Sequence, residues 1–152
     1  MMVKIATWNV RGFIRINQIK LCCFLETKMS TVGFKNYVSN VWPGWVHETN
    51  FDLLNGGRMA IMWDPNFVNC TFLEIGKQHM HLNCTCRVSQ SVFIASFVYP
   101  LYTVLERKEL WEHLTELGVS IVHPWLISGD FNCVCAPNER VGPTPPPPRR
   151  RT

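Results

Sequence analysis

The chain has 152 residues, of which 47% are hydrophobic and 17% charged, a composition that fits one globular domain and argues against a disordered chain. The formal net charge is +4, but Arg149, Arg150 and Arg151 supply three of these charges, so net charge is weak support for nucleic-acid binding. The sequence has no run of about 18 apolar residues and no signal-peptide pattern, which predicts an intracellular protein without a membrane span.

Hydrophobic runs bounded by turn residues predict six strands between Val3 and Tyr99. In chain order these are Val3–Val10, Leu21–Thr27, Arg58–Trp63, Val68–Ile75, His79–Val88 and Val92–Tyr99. Breaks that contain glycine, at Asn55–Gly57 and Glu74–Gln78, let neighbouring strands reverse direction. The middle section is therefore predicted to be an antiparallel meander.

One helix is well marked. Thr103 is a capping residue, Glu106 completes a capping box, and Gly118 ends the periodic segment. Its apolar stripe consists of Leu110, Trp111, Leu114 and Leu117. A last buried strand follows in "VHPWLISGDFN".

The segment "HMHLNCTC" raises the question of zinc, because two histidines and two cysteines lie within eight residues. In a strand, His79 and His81 point to one face, whereas Cys84 and Cys86 point to the other. The seven cysteines are odd in number and no secretion signal accompanies them, which favours reduced, packed thiols. We therefore predict structural cysteines and no zinc site of this composition.

Polar residues end several hydrophobic strands. Asn9 and Glu26 follow "VKIATW" and "LCCFL", and Asp130 and Asn132 share one face at the end of the last strand. Singly, each has an ordinary explanation, such as a turn, an ion pair with Lys28 or an Asx-turn. Together they are hard oxygen ligands suited to Mg²⁺, which indicates phosphoryl chemistry.

The motifs "ATWNVRG", "FLETK", "SFVYP" and "PWLISGDFN" occur in an order that resembles the endonuclease/exonuclease/phosphatase superfamily. Further segments, "VWPGW", "GGRMAIMWDP", "ERKELW" and "NERVG", are similar to its branch in plant non-LTR (LINE-type) retrotransposons. The resemblance implies a two-sheet α/β sandwich flanked by helices, as in DNase I-like proteins, incomplete at its C-terminal end. It covers about Val3 to Gly142.

The resemblance also implies roles. Glu26 would hold a Mg²⁺ or Mn²⁺ ion with Asn9 beside it, and Tyr99 would orient the scissile phosphate. Asp130 would deprotonate the attacking water, and Asn132 would hold a phosphate oxygen. The implied partner is the DNA phosphate backbone, with the reverse transcriptase of the parent element as a second partner and the nucleus as a compatible location.

Four departures from the family pattern stand out. No histidine follows Asn132, although the family carries a catalytic one there. Residues 143–152, "PTPPPPRRRT", are predicted to form an exposed tail after a domain of residues 1–142. Only "RGFIRINQIK" joins the first two strands, which predicts a strained loop or a changed topology. Tyr102 stands where the family generally has asparagine.

Two functions follow from this pattern. The first is a fragment of a metal-dependent DNA endonuclease, catalytically impaired because the terminal histidine is missing. The alternative is a non-catalytic nucleic-acid-binding or interaction module derived from such an enzyme.

Overall fold

Two four-stranded sheets form the framework of the protein, whose computed structural model describes residues 5–7, 13–53 and 58–132. The first sheet has the order β1-β2-β4-β3 and the second β5-β6-β7-β8. The strands are β1 (Ile5–Thr7), β2 (Leu21–Leu25), β3 (Val46–Thr49), β4 (Met59–Trp63), β5 (Val68–Ile75), β6 (His79–Cys86), β7 (Val92–Val98) and β8 (Trp125–Gly129). The helices are α1 (Phe13–Ile16), α2 (Thr31–Val41) and α3 (Val104–Ser120), with a 3₁₀ turn at Phe51–Leu53.

The sheets pack face to face, and helices cover their outer faces. Strand β4, "MAIMW", is buried throughout because Met59 and Ile61 face the other sheet, whereas Ala60 and Met62 lie in the cluster under α2. On the far side, Leu110 and Leu114 of α3 pack on the second sheet. This arrangement is the predicted α/β sandwich, and the fold class is confirmed.

The predicted capping box of α3 is present, because the Thr103 side chain accepts from the Glu106 N–H and the Glu106 side chain accepts from the Thr103 N–H. No helix within the described ranges is long and apolar enough to cross a membrane.

The alternation predicted for β6 is also confirmed. Cys84 lies between the sheets, where its sulfur is 3.4 Å from that of Cys70, whereas His81 faces α3. Histidines and cysteines of this strand therefore do not converge. The cysteines that the structure describes are reduced and buried, namely Cys22, Cys23, Cys70, Cys84 and Cys86.

The predicted meander is wrong in one respect, because β4 belongs to the first sheet. It pairs antiparallel with β2 and with β3, and the chain crosses to the second sheet between Asp64 and Phe67. The physical reason is that β4 carries apolar residues on both faces and needs cover on both. Antiparallel pairing of β5, β6 and β7 is as predicted.

The short connection between the first two strands keeps the parallel topology. Ile5 pairs with Leu21, and the connection includes the four-residue α1 and Gln18 in the left-handed region, at φ 53°. The predicted turn at Asn55–Gly57 and the tail at 143–152 lie outside the described residues.

A buried amide ties the two sheets together. The side chain of Asn50, which follows β3, accepts from the Met59 N–H at 2.9 Å and donates to the carbonyls of Gly76 and Lys77 at 3.0 Å and 3.2 Å. Met59 belongs to the first sheet and the two carbonyls to the β5–β6 turn of the second. The amide therefore fixes one end of the sandwich.

Candidate functional site

The candidate site lies where β2 and β7 end, on opposite sheets. Tyr99 follows β7, is 4% exposed within the core between the sheets, and donates its hydroxyl hydrogen bond to the carboxylate of Glu26. Glu26 follows β2, is exposed, and keeps the strand pairing for one more residue because its N–H donates to the Arg58 carbonyl at 2.7 Å. The buried tyrosine thus anchors an exposed carboxylate.

Strand β8 brings the second pair of polar residues to the same edge. It runs parallel to β7 with Val98 opposite Gly129, so Asp130 emerges beside Tyr99. The ring of Phe131, which lies between Asp130 and Asn132 in the chain, stacks on Trp111 of α3 at 5.9 Å and anchors the end of the strand. Asn132 donates from its side-chain amide to the Pro100 carbonyl at 3.1 Å.

Asp130 and Asn132 also form a local turn. One carboxylate oxygen of Asp130 accepts from the Asn132 N–H at 2.9 Å, and Asn132 has the left-handed φ of 47°. Asp130 is exposed, and Asn132 is half-buried. The Asx-turn that the sequence left open as an ordinary explanation is therefore present at the mouth of the site.

Arg58 is a residue of this mouth that the sequence did not indicate. Its guanidinium lies 4.4 Å from the centre of the Tyr99 ring and donates to the same Pro100 carbonyl at 3.1 Å. Its Nε atom is buried and has no hydrogen-bond partner in the part of the chain that the structure describes. An arginine at the start of a strand is usually a solvated residue, so nothing in the local sequence distinguished it.

Hydrogen bonds therefore join four of the predicted residues in two pairs, and the second pair reaches the residue that follows Tyr99. Tyr99 contacts Glu26 directly, Asn132 reaches Pro100 next to Tyr99, and Asp130 is bound to Asn132. Asn9 lies outside the described residues. The catalytic and metal-binding roles of all five remain predictions.

Burial, and next the hydrogen bond to Glu26, raise the pKa of the Tyr99 phenol well above its ordinary value. The phenol therefore keeps its proton at neutral pH. Its hydroxyl donates to the Glu26 carboxylate.

The profile of the Endonuclease/Exonuclease/phosphatase family matches residues 6–151. The chain belongs to that family. No curated protein is similar enough in sequence to match it.

Solved structures of this fold include the human Nocturnin catalytic domain with bound sulfate, at 15% identity and a TM-score of 0.57, matched over 79% of this chain and 54% of that one. A Bacteroides thetaiotaomicron mannosyl-6-phosphatase matches at 14% identity and a TM-score of 0.60, over 78% and 53%. D. rerio TDP2 complexed with a single-strand DNA product matches at 15% identity and a TM-score of 0.55, over 81% of this chain and 52% of that one. This chain spans about half the length of each of the three.

The donor atoms at the mouth suit the divalent metal ion on which endonuclease/exonuclease/phosphatase proteins generally depend. Two exposed carboxylates, Glu26 and Asp130, and the amide of Asn132 offer hard oxygen ligands of the kind that Mg²⁺ prefers. The neighbouring Arg58 guanidinium adds a fixed positive charge that suits a phosphate. The residues present therefore fit such an ion together with a phosphate group.

Proposed function

We propose that this chain derives from the DNA-nicking endonuclease of a plant LINE-type retroelement and that its substrate is a DNA phosphodiester. The observation that carries the proposal is the contact between Tyr99 and Glu26 across the two sheets, with Asn132 and Arg58 on the adjacent Pro100 carbonyl. The motifs "GGRMAIMWDP", "ERKELW" and "NERVG" support the retroelement branch over other branches. Such a protein acts on nuclear DNA, beside the reverse transcriptase of its element.

In this proposal Glu26 and Asn9 would hold a Mg²⁺ or Mn²⁺ ion, which would supply positive charge for the phosphate oxygens and for the departing alkoxide. Asp130 accepts the proton of the attacking water, whose oxygen bonds to phosphorus as the bond from phosphorus to the leaving oxygen breaks. Asn132 has a second amide N–H with which to hold a non-bridging oxygen. Tyr99 donates its one hydroxyl hydrogen to the Glu26 carboxylate, and it orients the phosphate through that carboxylate.

We also propose that the 152-residue chain, assayed by itself, nicks DNA feebly. No histidine follows Asn132 in the sequence, so the general acid or hydrogen-bond donor expected opposite Asp130 is not supplied. Loss of one preorganised group at a developing charge commonly lowers the rate by about 10²–10³-fold.

The first test is nicking of supercoiled plasmid in Mg²⁺. We expect the chain alone to be slow, and a chimera that continues after Gly142 with the C-terminal strands and histidine of a longer family member to be at least about 100-fold faster. In the chimera, Glu26→Ala and Asp130→Ala should each abolish the gain. Glu116→Ala, which removes an exposed carboxylate on α3, is the matched control and should leave nicking unchanged.

Fast nicking by the 152-residue chain alone would contradict the proposed impairment. Fast nicking by the chimera that survives Glu26→Ala would contradict the assignment of the site itself.

The Asx-turn favours the alternative, a non-catalytic nucleic-acid-binding module. One oxygen of Asp130 is already used by the Asn132 N–H, so a purely structural role accounts for this carboxylate. A chimera that binds DNA with a salt-dependent affinity but never nicks it would support the module over the enzyme.

A further inference from the structure

Three histidines from two elements meet on the outer face of the second sheet, away from the candidate site. His79 and His81 lie on β6 and His113 on α3, and one ring nitrogen of each lies within 4.8 Å of the other two. The rings are stacked, with centres 4.3–5.2 Å apart. The strand pattern places His79 and His81 on one face but does not indicate the third histidine, because His113 lies 32 positions after His81 and joins it only when α3 packs on the sheet.

An acidic residue completes the cluster. The carboxylate oxygens of Glu74 lie 3.3 Å from Nε2 of His79 and 3.4 Å from Nε2 of His113. The register of β5 and β6 shifts between Phe72 and Glu74, and this bulge sets Glu74 opposite His81. Without it Glu74 would pair with Met80 and point into the core, so the bulge turns the carboxylate toward the histidines.

Three of the separations between these donor atoms match those of a tetrahedral site. With Zn–N bonds of about 2.0–2.1 Å, two ligands of a tetrahedral zinc ion are about 3.3 Å apart. The Nε2 atoms of His81 and His113 are 3.1 Å apart, and the two separations from Glu74 are close to the same value. The rings lie at only 10–19° to one another, so the side chains must also turn about their χ angles to aim the nitrogen lone pairs at one centre.

Neighbouring groups hold the buried ring in place. His81 is fully buried, and its Nδ1 lies 2.7 Å from the Ser96 hydroxyl, which also accepts from the indole N–H of Trp125 at 2.8 Å. An oxygen partner on the far ring nitrogen is the usual arrangement for a histidine that ligates metal, because it fixes the ring and leaves the other nitrogen to the ion.

Solvent reaches the cluster through a cavity of about 390 Å³ between α3 and the β5–β6 turn, with His79 and His113 in its wall. An ion therefore has an entry path that does not require the sheets to separate.

We propose that His79, His81, His113 and Glu74 form a binding site for a zinc-class divalent metal ion, separate from the candidate phosphodiester site. A donor set of three imidazoles and one carboxylate binds zinc in preference to magnesium. The cysteines of β6 take no part, because they lie on the opposite face.

The test is a zinc titration of the metal-free 152-residue chain. We expect one zinc ion to bind per chain. The zinc affinity should fall at least about 100-fold in His79→Ala and in His113→Ala, because even residues that only hydrogen-bond to a metal ligand contribute about 10–100-fold to metal affinity. Glu74→Gln should weaken binding in the same direction. His123→Ala removes an exposed histidine outside the cluster and should bind like the unmodified chain.

Thermal unfolding separates metal binding from folding. Each variant is melted without metal to show that it folds, and zinc should then raise the Tm of the unmodified chain and of His123→Ala but not of His113→Ala. Cobalt is the spectroscopic probe, and its spectrum should lack the intense thiolate charge-transfer bands. No zinc binding, binding unchanged in His113→Ala, or a thiolate spectrum would each overturn the proposal, and none of these results depends on DNA nicking.

Discussion

Tyr99 shows how a single residue can belong to both the core and the site. Its ring lies in the core between the sheets under the Arg58 guanidinium, and its hydroxyl reaches the Glu26 carboxylate at the surface. By sequence alone it is an aromatic residue at a strand end, and only the resemblance of "SFVYP" to the family indicated a role. Arg58 was missed because its side-chain contacts come from residues more than 40 positions away.

The raised pKa of Tyr99 predicts a dependence of stability on alkaline pH. The folded-state pKa lies above the unfolded value of about 10, so the contribution is fully present below about pH 10 and is lost as pH rises through the folded pKa. The unfolding free energy of the unmodified chain should therefore fall more steeply above about pH 10 than that of Tyr99→Phe. Urea midpoints over a pH series measure the difference.

Glu26→Gln provides a second reading of the same effect. It removes the charge that resists formation of the phenolate, so its pH dependence should lie between those of the other two chains. Parallel curves for the unmodified chain and Tyr99→Phe would contradict the assignment of the perturbed phenol.

At the scale of elements, the pairing of β8 with β7 depends on Gly129. Its φ is 154°, and a Cβ atom there would lie 1.9 Å from the Val98 carbonyl oxygen. The glycine therefore lets the last strand approach closely enough to place Asp130 beside Tyr99. The motif "SGDFN" contains this requirement, but the close approach that explains it is visible only in three dimensions.

Gly129→Ala should accordingly destabilise the protein by at least about 3 kcal/mol, because backbone strain and a main-chain clash add together. Gly44→Ala is the matched control, since Gly44 also has a positive φ, 86°, but no atom within 4 Å of the added carbon. We expect the control to lose only about 1–2 kcal/mol. Equal denaturation midpoints for the two variants would contradict the clash.

Other elements show which local sequence signals are sufficient to predict a strand or a helix. Strand β5 and the capping box of α3 were read correctly from alternation and capping residues. Helix α2 was missed although Ser30 caps it and Phe34 and Val38 form its buried face, because Gly33 and two asparagines lower its helix propensity. The sheet to which β4 belongs was beyond local reasoning, since an all-apolar strand carries no information about its neighbours.

At the scale of the whole molecule, Asn50 makes two of the hydrogen bonds that join the two sheets within the described residues. Asn50→Ala would leave the Met59 N–H and the carbonyls of Gly76 and Lys77 without this partner. Of these three groups the Met59 N–H is buried, and an unsatisfied buried group costs about 1–3 kcal/mol, so we expect a loss of about 1–3 kcal/mol in the unfolding free energy.

The matched control for Asn50 is Asn69→Ala on the exposed face of β5, which should change the unfolding free energy by less than about 0.5 kcal/mol. Chemical denaturation of the two variants is the measurement. Similar midpoints would show that the sheets do not depend on the buried amide.

The division of the site between the sheets makes its dimensions a property of the core. Glu26 and Arg58 are carried by the first sheet, and Tyr99 and Asn132 by the second, so the side-chain volumes of residues such as Met59 and Phe97 set the width of the mouth. A substitution between the sheets that leaves stability intact can still widen or narrow the gap by a fraction of an ångström. Core residues that never touch a ligand therefore set the distance across the site, and a change in their volume is expected to alter the site without altering its residues.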